Sequence, residues 1–249
     1  MEAEQHSFPR SIVLHLLPGA LILVFYVVVG VPVAERFGYP SLFGLLLAVA
    51  CVLVPFEFGW LLYLGQKRNG RPSLEGIVLY RERMPLGRLA VLVLVLIGWA
   101  VFVGATLSWV DNLLLDELFS WVPERFLIEQ GLGSYLTRYP EPVLIVTLLL
   151  GLILSGVVGP VAEELYFRGY VLPRISRLGR WAPVLNTALF AAYHLWTPWQ
   201  VVTRIVFILP MVYAVWRKKN IYIALWTHCI GNTVGLLLVV AAVLAGVRP

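Results

Sequence analysis

Long apolar runs that no polar alternation interrupts recur along this chain, as in VLIVTLLLGLILSGVVGPVA at 143–162. In hydrocarbon every backbone N–H and C=O must find its partner inside the protein, so only helices and closed barrels cross a bilayer. A barrel strand alternates lipid-facing with lumen-facing residues; unbroken runs choose helices.

Composition agrees with that medium. The 249 residues are 60% hydrophobic and 13% charged, against about 25% charged in soluble domains. The fold class is therefore all-α, a polytopic transmembrane helical bundle read as a single membrane domain over 1–249. Taking about 20 apolar residues per crossing, seven spans are placed at 11–34, 41–65, 88–107, 142–174, 181–197, 200–216 and 221–246. The connector between the third and fourth carries apolar residues at helical spacing among acids and reads as an interfacial helix, with an eighth crossing as the alternative. The N-terminus, MEAEQHSFPR, is acidic where a secretory signal would be basic, so the first run is read as a retained span. Cys51 and Cys229 lie in apolar runs without CxxC spacing and are expected to be packing residues.

Loop charges supply an orientation. Lys67, Arg68, Arg71, Arg81, Arg83 and Arg88 follow span two; Arg174, Arg177 and Arg180 follow span four; Arg217, Lys218 and Lys219 follow span six. All fall on one side, whereas the connector after span three carries Asp111, Asp116, Glu117, Glu124, Glu129 and Glu141 against Arg125 and Arg138. The positive-inside rule makes the basic side cytoplasmic, with the N-terminus inside and the C-terminus outside. The net charge of +5 is thus a topology signal and not a nucleic-acid footprint.

Against this background Glu163, Glu164 and Arg168, in VAEELYFRGYVL, need a chemical reason. A charge at the centre of a membrane helix costs roughly 2.5 to 3.5 kcal/mol even on gentle scales. Span four exceeds the membrane thickness, so its C-terminal part, with these residues, is expected to project toward water. At about 1.5 Å per residue, Glu163 and Glu164 lie roughly 15 to 17 Å from the basic end of span four, His194 roughly 20 Å into span five, and His228 and Asn232 roughly 10 and 17 Å into span seven. These depths allow one shared layer. Gly151, Ser155, Gly159 and Glu163 form a small-residue stripe that turns Glu163 into the bundle; Glu164 and Arg168 are an i, i+4 pair on the next stripe. His228 and Asn232 share a face, beside a close-contact stripe of Gly231 and Gly235, and Phe190 sits one turn before His194. Singly, each has a bland reading as hydrogen-bonded packing. Glu57, after Pro55, reads as a structural or pathway residue; Arg204 reads as an interfacial side chain that snorkels; His6 and His15 carry no pattern.

Three patterns appear in order: EExxxR (Glu163, Glu164, Arg168), FxxxH (Phe190 to His194) and HxxxN (His228 to Asn232). Together they resemble the motifs of the CPBP intramembrane proteases, the group of type II CAAX prenyl endopeptidases also called the Abi family, over about residues 142–240. The helices at 142–246 would then form the catalytic part.

The resemblance implies an intramembrane endopeptidase acting on membrane-associated proteins or lipidated, CAAX-type peptides within the lipid bilayer. Peptide hydrolysis needs an activated water and a stabilised oxyanion. Mapped onto matching positions, Glu163 is the base, His194 holds and polarises the water, and His228 and Asn232 donate to the oxyanion. Glu164, Arg168 and Phe190 support them, and the arginine is suited to a substrate carboxyl terminus or carbonyl. Family members have been called metalloproteases, and Glu163, His194 and His228 are the ligand set a zinc ion would require. The chain has no HExxH and asparagine is an unusual zinc ligand, so the cofactor expectation is none, with a glutamate-based, metal-independent reaction favoured. Asp111 and Asp116 sit in the connector, which removes an aspartyl pair, and Ser155 lacks a GxSG context. The competing classes are a catalytically silent scaffold or immunity protein on the same fold and a proton-coupled transporter; transport predicts paired broken helices in two related halves, and no such symmetry is visible.

Overall fold

The computed structural model describes residues 4–128 and 138–245; Glu129 and the outermost ends of the regions 1–249 and 142–246 lie outside them. Among the described residues the chain is helical, apart from turns and an isolated bridge between Arg81 and Asn220. Among the described residues six helices are long and apolar enough to cross a membrane: α1 (Phe8–Arg36), α2 (Ser41–Asn69), α3 (Leu86–Leu118), α4 (Glu141–Leu178), α6 (Val201–Lys218, entered through a turn at Pro198) and α7 (Tyr222–Leu244). Between α4 and α6 stands α5, Trp181–Tyr193.

Two sequence boundaries are corrected. The 13 residues of α5 rise only about 20 Å, short of the roughly 30 Å hydrocarbon thickness, so the expected span at 181–197 is a partial one. The helix ends where His194 leaves helical geometry, at ψ 60°, and Pro198 keeps it from resuming, because a proline disfavours helical geometry at the residue before it and Thr197 has φ −140°. The non-helical stretch that follows is tolerated because it is enclosed in protein: Tyr193, Trp196, Thr197 and Trp199 are buried. The second correction concerns the connector after span three. Its first third continues α3 as one helix to Leu118, which carries Asp111 and Asp116 with it.

Four wide π-helical segments interrupt the long helices, at Tyr26–Gly30, Val49–Leu53, Leu154–Val158 and Glu164–Val171. Each ends two residues before a proline, Pro32, Pro55, Pro160 and Pro173. A proline ring collides with the carbonyl four residues earlier in a regular helix, and a wide turn moves that carbonyl aside without breaking the span. Pro18 and Pro210 sit within α-helix, so proline permits the wide turn but does not require it.

Backbone bonds gather the basic connectors at one end of the bundle. His6 N–H donates to Arg174 O at 2.7 Å, Leu79 to Gly169 O at 2.8 Å, Glu82 to Lys219 O at 2.9 Å and Ile221 to Tyr80 O at 2.7 Å. The N-terminal residues and all three basic connectors therefore share one end, as their charges require. At the other end the Tyr26 hydroxyl donates to Phe126 O and the Ser41 hydroxyl to Leu127 O. Glycine permits close helix contacts: a Cβ on Gly30 of α1 would lie 2.5 Å from the carbonyl oxygen of Gly44 in α2. Gly231 and Gly235 behave differently from their expected close-contact stripe, since a Cβ on either meets nothing within 4 Å. Cys51 is exposed on the outer surface instead of packed, and both cysteines are free.

Candidate active site

The α4 segment that carries the acids is sealed among protein side chains. Glu163 is 6% exposed, Glu164 and Arg168 fully buried, so this part of α4 does not project into water. Glu164 opens the wide turn Glu164–Val171, and Arg168 Nη1 donates to Glu164 Oε1 at 3.1 Å. The guanidinium lies over the Phe190 ring, 3.9 Å from its centroid, a cation–π contact that is strengthened by exclusion of water. Asn186 of α5 donates to Phe167 O in the same turn and contacts His15 Nε2 at 3.0 Å. These contacts enclose Arg168 completely, which takes from it the expected role of touching substrate.

His228 of α7 meets both glutamates. Its Nδ1 lies 2.9 Å from Glu164 Oε1 and its Nε2 3.8 Å from Glu163 Oε2. An ionised carboxylate only accepts, so the hydrogen-bond network assigns the Nδ1 proton to the bond with Glu164. The histidine within 4.0 Å of Glu163 is thus His228 and not His194. Arg168, Glu164, His228 and Glu163 form a continuous polar chain from a buried cation to the proposed base.

His194 caps the end of α5. Its Nδ1 is 2.9 Å from Phe190 O, and because a carbonyl can only accept, the proton sits on Nδ1 and the Nε2 lone pair is left for another partner. Asn232 Nδ2 donates to Ser155 O at 2.9 Å, which uses one of its two amide hydrogens.

Glu164, Phe190, His194, His228 and Asn232 line one cavity of about 590 Å³. Leu96, Ala100 and Gly104 of α3 and Phe207, Ile208 and Met211 of α6 supply much of its apolar wall, and Gly231 and Gly235 leave the α7 side open. The depth estimates from the sequence thus converge: residues from α4, α5 and α7 face one space.

Four polar residues near the acids lie outside the three motifs. Glu57 of α2 is fully buried and accepts a hydrogen bond from Tyr193 at 3.0 Å. Arg204 is 9% exposed and lines the cavity with Asp111, so it does not snorkel as expected. An acid or arginine within an apolar run was the available signal for Glu57 and Arg204; nothing marked Tyr193, one position before the FxxxH histidine.

The described residues contain no group of three His, Cys, Asp or Glu side chains so placed that they could hold a metal ion. Glu163, His194 and His228 are not so grouped; the Nδ1 bonds of His228 to Glu164 and of His194 to the Phe190 carbonyl leave Nε2 as the open nitrogen of each ring.

A helical membrane protein in which the motif carboxylate Glu164, two histidines and an asparagine are brought by separate helices to the wall of one cavity, with Glu163 reached through His228, has the makings of a hydrolase working within the bilayer. The family model Rce1-like, type II CAAX prenyl endopeptidase, matches residues 145–234, which hold all three motifs, and supports the likeness to the CPBP or CAAX-type intramembrane proteases. No curated protein and no solved structure matches the chain.

Proposed function

We propose that the protein is an intramembrane endopeptidase that cleaves lipidated, CAAX-type or other membrane-associated peptides with a water activated by Glu163, the helices at 142–246 forming its catalytic part. The observation that carries the proposal is the chain from Arg168 through Glu164 and His228 to Glu163. Arg168 and Glu164 hold the His228 ring, and His228 Nε2 stands beside Glu163 Oε2 at 3.8 Å. Glu163 takes a proton from water while the water oxygen bonds to the scissile carbonyl carbon. His194 orients that water through Nε2, and the second Asn232 amide hydrogen meets the oxyanion. Collapse of the tetrahedral intermediate breaks the C–N bond, and the proton held on Glu163 passes to the leaving amine. His228 moves from an oxyanion donor to a partner of Glu163, because its Nδ1–H is taken by Glu164. The chain is an integral, multi-pass membrane protein, and by its charges the end that holds the N-terminus and the basic connectors is the cytoplasmic one; in a prokaryote the membrane would be the cell membrane.

The test uses purified protein with a farnesylated CAAX peptide and a panel of transmembrane substrates, and measures bound metal in parallel. Cleavage that is lost in Glu163→Ala and His194→Ala and survives stringent chelation without bound metal is the expected result. Equal cleavage by the variants removes the site assignment, and activity that tracks a bound metal removes the metal-independent reaction.

A further inference from the structure

From its place on the cavity wall, we infer that Arg204 binds the free C-terminal carboxylate of the peptide and so sets the position of the scissile bond. The inference rests on the endopeptidase reading and adds a specificity-determining residue to it.

Arg204 lies in the first turn of α6 and lines the cavity that also holds His194, His228 and Glu164. Arg204, His194 and Asn232 line the same cavity, so Arg204 belongs to the space in which the reaction is proposed to occur. Its hydrogen bonds go to neutral acceptors: Nη2 to Thr197 Oγ1 at 3.0 Å and Gln200 Oε1 at 2.7 Å, and Nη1 to Thr197 O at 3.5 Å. Among the described residues no carboxylate comes within 4.0 Å of the guanidinium. A permanently charged group in a membrane cavity without a paired anion is costly and marks a site of function. The N-terminal end of α6 adds its own positive potential at the same place.

Arg168 is the other arginine near the acids, and it is paired with Glu164 and covered by Phe190. Arg204 is therefore the cation that a ligand in the cavity meets. A planar guanidinium suits a carboxylate, which it binds through two parallel bonds. The volume also fits: three extended residues span about 10 Å, and 590 Å³ accommodates a short peptide tail of that length. Asp111 lines the cavity too, and its Oδ1 accepts from the Thr203 hydroxyl at 2.6 Å. It moderates the field of Arg204 without pairing with it, and it disfavours a second anion beside the first.

The test compares two farnesylated peptides, identical except that one ends in a carboxylate and the other in a carboxamide. Binding is measured on full-length Glu163→Gln protein, and cleavage on the parent. The carboxylate form is expected to bind about tenfold tighter or more. Adding Arg204→Gln brings the ratio to about one, Arg204→Lys retains part of it, and Asp111→Asn widens it. If Arg204 only held the loop at 194–200, both peptides would weaken together and the ratio would not move. A parent ratio near one, an unchanged ratio in Arg204→Gln, or failure to bind either peptide overturns the inference. Cleavage of both peptides without preference overturns it and leaves the endopeptidase reading intact. Carboxylate-selective binding without any cleavage by the parent overturns the endopeptidase reading and upholds the site at Arg204.

Discussion

His228 Nδ1 and Glu164 Oε1 stand 2.9 Å apart, joined across 64 positions of sequence from two different membrane helices. The same glutamate oxygen accepts from Arg168 at 3.1 Å, so the second acid of the EExxxR motif ties α4 to α7 and neutralises a buried cation. The first acid, Glu163, is left with its carboxylate toward His228 Nε2.

The two glutamates should consequently fail in different ways. Glu164→Gln removes the counter-charge of a fully buried arginine, a change that costs about 3 kcal/mol or more, and it should lower the thermal midpoint in detergent as well as activity. Glu163→Gln should leave the midpoint within a degree or two of the parent. Equal destabilisation by both variants would contradict the division of roles.

Two glycines of opposite environment provide a second check. Gly30→Ala places a methyl group against the backbone of Gly44, and overpacking of that kind costs about 1 to 3 kcal/mol. Gly231→Leu enters open space in the cavity, so it should leave thermal stability near that of the parent while it lowers kcat/KM by obstructing the peptide. A Gly231→Leu protein with full activity would place substrate elsewhere.

The N-terminal dock is expected to be acid-sensitive. His6 is 2% exposed, and burial first, then the charges of Arg10, Arg174 and His15, bring its pKa from 6.5 down to about 4. The folded protein therefore favours the neutral ring. The unfolded chain binds the extra proton between about pH 6.5 and 4, so this stabilisation is complete above that window and is lost as the pH falls through it. The fall in thermal midpoint between pH 7.5 and 4.5 should be smaller in His6→Gln than in the parent, and identical falls would show that His6 does not contribute.

Much of the site was legible because motif residues declare themselves against an apolar background. Glu163, Glu164, His194, His228 and Asn232 stood out as polar groups at matched depths, and the three basic connectors fixed which ends lie together. What the sequence concealed lies in the breaks of regularity. The wide turns shift the helical phase by a residue, so stripes at four-residue spacing lose their register past Leu154, and Gly156, outside the expected stripe, is the residue that faces Thr233 of α7. The X-Pro pairs that accompany those turns were visible, but proline alone does not distinguish a π turn from the α-helix around Pro210. Hydropathy carried span five to 197, whereas the helix stops at Tyr193 and the chain turns back inside protein; that stop turns Arg204 from a side chain at an outer boundary into part of the cavity wall. Asp111 was hidden for a related reason, because the helix it belongs to outlasts its apolar run.

The most direct measurement is the single-turnover cleavage rate of a farnesylated CAAX peptide by parent and Glu163→Gln protein, each shown to be folded by its thermal midpoint. A general base contributes about 10²- to 10⁴-fold, so the rate should fall by at least about a hundredfold while peptide binding is retained. A folded Glu163→Gln protein that cleaves within about twofold of the parent rate, a margin far below that contribution, would show that Glu163 is not the base.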